Sequence, residues 1–287
     1  MSDKNPYAGL PRYQIWKRAV SDREPDDVDP QHAAKFVIDR STKIASAGSC
    51  FAQRIAERLS EAGYDYLVTE PGPIWESAQW RKSHNYGTYS ARYGDIYTTL
   101  QLAQLARQCK GTFGPAEPAW TKNQRYFDPL RPRIEPDGFR SLEELQEDRS
   151  RHITAVRELL SNSDIFVFTL GLTETWCSRI DDMAFPMCPG VAGFGSFDHK
   201  RHYFRNLTVN DNVAYLEEFL DYAWSLNPAL RVILTVSPVP LAATYESRHV
   251  VASTTYSKAV LRVAAESICQ KRQNVDYFAS YEILKSG

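Results

Sequence analysis

A chain of 287 residues, 43% hydrophobic and 24% charged, holds enough apolar material for one substantial core. Its formal net charge of −1, with lysines and arginines spread along the whole length, excludes a phosphate-backbone binder, which would gather basic residues on one face. The first residues lack the apolar run of a signal peptide, and no stretch reaches the roughly 18 apolar residues of a spanning helix, so the expectation is a cytoplasmic protein with neither membrane nor nucleic-acid partners.

Residues 1–40 are polar and proline-punctuated, with an acidic run at 24–29, and read as an arm over the domain that follows. Tyr7, Tyr13 and Trp16 are the side chains in it best suited to pin it down. The main domain is placed at 41–287. A short strand at 43–47 meets a tight turn at Gly48 and Ser49, then an amphipathic helix with Phe51, Ile55, Ala56 and Leu59 on one face. Residues 70–99, rich in Gly, Pro, Tyr and Trp, predict a long structured loop, and 97–109 predicts a helix. The proline-rich stretch 111–138 is again irregular, and Ser141-x-x-Glu144 signals the start of a helix running to Leu160.

The strongest strand is 164–170, almost continuously apolar, as befits a strand covered on both faces. A loop carrying Gly171, Thr173, Glu174 and Trp176 follows it, and 181–210 is read as irregular. A helix at 213–225, a second buried strand at Arg231–Val236, a helix around 257–268 and a last strand at Val275–Phe278 complete the chain. Helices alternating with buried strands predict an α/β domain with a mainly parallel sheet of about five strands between helix layers. Ligands gather at the carboxyl ends of such strands. Ser49, the loop at 171–176 and Ser237 through Pro240 all fall there.

Ser49, at a strand-to-helix turn, suits two roles: a helix N-cap, or a nucleophile whose backbone N–H lies at the positive end of a helix. Five widely spaced cysteines without a CxxC pair argue against a disulfide framework or a zinc site, and no metal or organic cofactor is implied. Of six histidines, His32 and His152 look remote, in the arm and on a charged helix face. His199 and His202 sit in a basic loop cluster. His84 and His249 are the two positioned to serve a site at the sheet edge. Trp75, Trp80, Tyr86, Tyr89 and Tyr93 suit either loop packing or stacking on sugar rings. Arg131-Pro132-Arg133 reads as exposed and solvated.

The string GSCFA at 48–52, followed in order by SHNYGTYSARYGDIYT at 83–98, FTLGLTETW at 168–176, LTVSPVPLAAT at 234–244, YSKAVLR at 256–262 and DYFASYEI at 276–283, resembles the GSCFA family from about residue 40 onwards. That family is a bacterial branch placed beside the SGNH/GDSL hydrolases. The resemblance implies a three-layer α/β/α sandwich of flavodoxin-like kind and ester hydrolysis or acyl transfer, with Ser49 as nucleophile. It implies oxyanion donors at Gly87, beside His84 and Asn85, and at Thr173 within Gly171-Leu172-Thr173-Glu174. Three departures stand out. Ser49 follows Gly48 directly, without the aspartate of the Gly-Asp-Ser block. Thr173 occupies the place of an asparagine, and no Asp-x-x-His follows the last strand, so either the chain ends early or the base comes from elsewhere. His249 ranks first for that role and His84 second. Glu174 orients a base or holds a loop. The expected function is a serine acyl-esterase or O-acyltransferase acting on a small acyl ester, with a carbohydrate as the natural carrier. The alternative is a non-catalytic carbohydrate- or partner-binding protein with a degraded triad.

Overall fold

The computed structural model describes residues 5–31 and 33–284. Its regular elements are β1 (Ile44–Ala47), α1 (Cys50–Glu61), α2 (Ala78–Ser83), α3 (Thr99–Lys110), β2 (Trp120–Lys122), β3 (Arg125–Phe127), α4 (Leu142–Asn162), β4 (Ile165–Leu170), β5 (Glu174–Ser178), β6 (Ala184–Phe185), β7 (His202–Asn206), α5 (Val209–Leu226), β8 (Arg231–Val236), α6 (Val250–Lys271), β9 (Val275–Phe278) and α7 (Ser280–Ile283).

Four strands pair in parallel in the order β1-β4-β8-β9. A fifth position is filled by a single parallel bridge between Tyr66 and Ile44, with Ile44 N–H donating to Asp65 O and Leu67 N–H to Ile44 O. It goes no further because Thr69 turns its N–H to Ser90 O instead. Counting that segment, the chain order across the sheet is 2-1-3-4-5, and its direction of travel reverses between β1 and β4. Ligands of doubly wound sheets bind at that reversal.

Alternation along the strands sorts the two faces. Ala45, Ala47, Phe166, Phe168, Val232, Leu234 and Val275 pack against residues of α3, α4, α5 and α6. Ile44, Ile165, Val167 and Ile233 pack on the other side against Leu59 of α1 and against Phe36 and Ile38 of the arm. The chain is therefore an α/β three-layer sandwich. Of the side chains expected to pin the arm, Tyr7 and Trp16 are 72 and 74% exposed. Lys35 does the fastening. Its N–H donates to Asp276, and its ammonium donates to the carbonyls of Cys269, Arg272 and Val275, while Arg231 donates to Val37 O.

Two regions read as irregular carry strands. β2 and β3 form a hairpin whose two-residue turn, Asn123-Gln124, has positive φ at both positions. β5, β6 and β7 form a separate three-stranded antiparallel sheet with β5 at its centre. The last long helix also starts earlier than expected, at Val250. All five cysteines are free thiols.

Candidate active site

The chain passes from β1 into α1 through only two residues. Gly48 turns at φ +149°, a conformation that side chains rarely adopt, and a Cβ there would lie 2.9 Å from both Ala52 Cβ and Thr169 Cβ. The turn thus packs directly on β4. Ser49 follows at the N-cap position, 3% exposed. Ser77, Thr98, Ser141 and Thr208 each accept a backbone N–H of the helix they begin; Ser49 does not. No acidic residue sits in the first turn of α1. The Ser49 hydroxyl is thus left unspent beside the positive end of a helix, where a developing negative charge is stabilised.

Across the reversal point, residues 95–98 lace the two strand ends together. Ile96 N–H donates to Gly48 O at 2.8 Å, and Tyr97 O accepts from Gly171 N–H at 3.1 Å and Leu172 N–H at 2.9 Å. Gly171 admits this approach because a Cβ there would stand 2.9 Å from Tyr97 O. The lace is held from α1: Gln53 Nε2 donates to Tyr89 Oη, and Tyr89 Oη donates to Asp95 Oδ1. Burial, then the charge of Asp95, pushes the Tyr97 phenol well above its usual range. From the other side α6 clamps the loop after β4. Ser257 Oγ accepts Thr173 N–H at 3.1 Å, and the buried Lys258 ammonium donates to Gly171 O at 2.7 Å. Asp95, Ile96 and Tyr97 and the pair Ser257–Lys258 were missed as individual residues, although both lie inside strings that carried the family resemblance.

The other expected residues fall into two groups. Thr173 and Gly171 are at the reversal point, and the fully buried Thr173 hydroxyl has no hydrogen-bond partner. Glu174 holds a loop: its two carboxylate oxygens accept from Thr244 Oγ1 at 2.6 Å and Tyr245 N–H at 3.1 Å. Gly87 lies elsewhere, in a groove shared with Gln53, Ala56 and Ser60 of α1, and its N–H donates to Glu70 O. Asn85 Nδ2 donates to Arg133 O. His84 stacks on Trp80 and has both ring nitrogens engaged, Nδ1 with Trp80 O at 2.8 Å and Nε2 with Glu135 at 3.1 Å. His249 is the exposed N-cap of α6, where its Nδ1 accepts Val251 N–H. The eight-residue separation sets it about 12 Å along the helix from Ser257. Among the described residues no hydrogen bond joins the Ser49 hydroxyl to a histidine.

His152 and Arg131 correct their readings as surface residues. His152 is 2% exposed and its Nδ1 lies 2.7 Å from Glu70 Oε2, while its Nε2 has no partner. Burial, and then the charge of Arg131, push the imidazole below its usual range. Burial pushes the Glu70 carboxyl up, but the hydrogen bond and charge of His152 outweigh it and hold the group down to about 2. Arg131 pairs with Asp128 and Asp148, and Asp148 also receives Arg92, the last 1% exposed. This buried network, with Tyr86 beneath Arg92 and Trp80 against His84, packs the loop between α1 and α3. Tyr89 and Tyr93 are buried in the core, and only Trp75 of the expected stacking aromatics is strongly exposed, at 81%. His202 is buried and accepts Asp198 N–H; His199 is exposed. His32 lies outside the described residues.

No helix among the described residues is long and apolar enough to cross a membrane. No curated protein and no solved structure matches the chain. The model of the GSCFA family matches residues 43–287, beginning just before β1 and including every element of the parallel sheet, and the chain belongs to the GSCFA family.

Proposed function

We propose that the protein is a serine acyl-esterase or O-acyltransferase in which Ser49 attacks an ester carbonyl and carries the acyl group as an acyl-enzyme. The observation that supports it most is the Ser49 hydroxyl, left out of the capping role that serine and threonine fill at four other helices and set at the reversal point of the sheet. The N–H groups opening α1 would face the oxyanion, with the unpaired Thr173 hydroxyl as a further donor. Gly87 has no part in this reading, since its N–H is spent on Glu70 O. His249 keeps Nε2 unspent and is the proton acceptor to test. A carbohydrate carrier is supported by exposed Trp75.

A second reading is favoured by the histidines themselves: both nitrogens of His84 and Nδ1 of His249 are occupied by structural bonds. On that reading the chain is a non-catalytic binding protein that has kept the fold. Fluorophosphonate labelling and p-nitrophenyl ester turnover, compared between wild type, Ser49→Ala and His249→Ala, separate the two. Labelling and turnover that disappear in Ser49→Ala support the enzyme, and a drop of about a hundredfold in His249→Ala would assign the base. A wild-type protein that neither labels nor turns over rules for the binding protein.

A further inference from the structure

Leu172, whose N–H is tied to Tyr97 O, also lines a second feature, a cleft of about 570 Å³. One wall is the antiparallel pair of β5 and β7, whose register sets Trp176 opposite Phe204 so that both rings stand on the same face. Phe197 and Tyr245 complete the aromatic wall, each packing edge-on or tilted against Trp176 at 5.1 and 4.8 Å between ring centres. Leu241, Ala242 and Ala243 add to the lining, and the two alanines leave the space open.

The walls are fixed. Thr244 and Tyr245 are bonded to Glu174, Asn206 Nδ2 donates to Glu246, and Leu241 N–H donates to Thr254 Oγ1. The volume is that of a pocket for a small organic ligand. Its lining offers that ligand almost nothing polar. The one carboxylate, Glu174, has both oxygens occupied by the loop, and burial pushes the Cys188 thiol up, so it stays neutral. A sugar or a charged group seated here would lose hydrogen bonds to water without replacing them. An alkyl chain loses nothing and gains contact along its length.

We propose that this cleft receives the unbranched apolar acyl chain of the ester on which Ser49 acts, so that the substrate carries a medium-length acyl group in place of the small one expected from the sequence. This rests on the reading of Ser49 as the nucleophile. Leu172 supplies the connection: it lines the cleft, Leu172 and Gly171 bond to Tyr97, and the adjoining Ile96 bonds to Gly48, one residue before Ser49. The ester carbonyl sits over the turn, the chain runs out past Leu172, and the alkoxy carrier faces solvent.

The test has two independent readouts, both made below the micelle concentration of each ligand. The first is kcat/KM of the wild type with p-nitrophenyl esters from acetyl to dodecanoyl. The second is calorimetric binding of acetate, hexanoate, octanoate and decanoate to Ser49→Ala. Both are expected to rise with chain length, by up to about fourfold per methylene until the cleft is full. Both are expected to fall by tenfold or more for the longer chains when Ala243→Trp fills the opening. Turnover that is flat with chain length and unchanged in Ala243→Trp overturns the cleft proposal and leaves Ser49 as nucleophile. Chain-length-dependent binding with no wild-type turnover refutes the nucleophile and leaves the cleft's occupant in place. Flat binding together with absent turnover overturns both.

Discussion

Replacing Gly48 by alanine adds one methyl group at the place where strand, helix and neighbouring strand meet. Two separate costs follow. The backbone at φ +149° is one that an L residue holds only under strain, a penalty of order 1–3 kcal/mol. The new Cβ would also stand 2.9 Å from Ala52 Cβ and Thr169 Cβ and 3.1 Å from Thr169 O. None of these atoms is the free end of a flexible side chain, so the second cost is that of overpacking, about 1–3 kcal/mol. Gly48→Ala should therefore lose about 2–6 kcal/mol of unfolding free energy. Urea unfolding followed by tryptophan fluorescence reads this directly, provided the denaturant slope stays that of the wild type. Gly9→Ala, with nothing within 4 Å of the added Cβ, is the control and should change stability by less than about 0.5 kcal/mol. A Gly48→Ala protein as stable as that control would show that the turn is not packed as described, and the placement of Ser49 would fall with it.

Asp148→Ala leaves the buried guanidinium groups of Arg92 and Arg131 short of a shared anion and should cost about 3–5 kcal/mol in the same assay, while Arg151→Ala, on the exposed side of α4, should cost almost nothing. Acid should destabilise the protein in two legs. His152 is held below its ordinary value of 6.5, so below that pH the unfolded chain takes up a proton that the fold refuses, and stability falls as pH drops. Glu70 is held at about 2 against an ordinary 4.5, so its contribution, present above 4.5, is lost as pH falls from there towards 2. Unfolding free energies measured across this range should lose the upper leg in His152→Gln and the lower leg in Glu70→Gln, and identical profiles in all three proteins would contradict the pairing.

The parallel sheet was legible because its strands advertise themselves: residues 165–170 are apolar at every position but Thr169 and buried throughout, and only a strand covered on both faces tolerates that. The smaller sheet was not. β7 reads His-Tyr-Phe-Arg-Asn, only partly buried and mostly polar, and the hairpin of β2 and β3 turns on Asn-Gln, where glycine at the second position would have given the signal. Ser49 stood out through its turn and its motif. The lace at 95–97 did not, since Ile96 and Tyr97 act through backbone groups that any side chain could carry. His152 had a signal that was passed over: with Leu145, Asp148, Val156 and Leu159 it lies on one helical stripe, so it had to face inward with the apolar residues. Arg131 could not have been placed, because its partner Asp148 lies 17 residues on and is brought to it by a fold in the chain that no periodicity encodes.

The strap at Lys35 bears on how the chain comes together in time. Its N–H meets the carboxylate of Asp276 across 241 residues of sequence. On a ribosome, Phe36 and Ile38 emerge early but wait for Ile165 and Ile233 before their side of the core exists. Lys35 waits longer still, for β9. Until then β8 is the outer strand of an unfinished sheet, an edge open to pairing with other chains. Seating the strap is thus a late step that joins the beginning of the described chain to its end. Such distant closures are slow, and the edge of β8 stays open until this one is made.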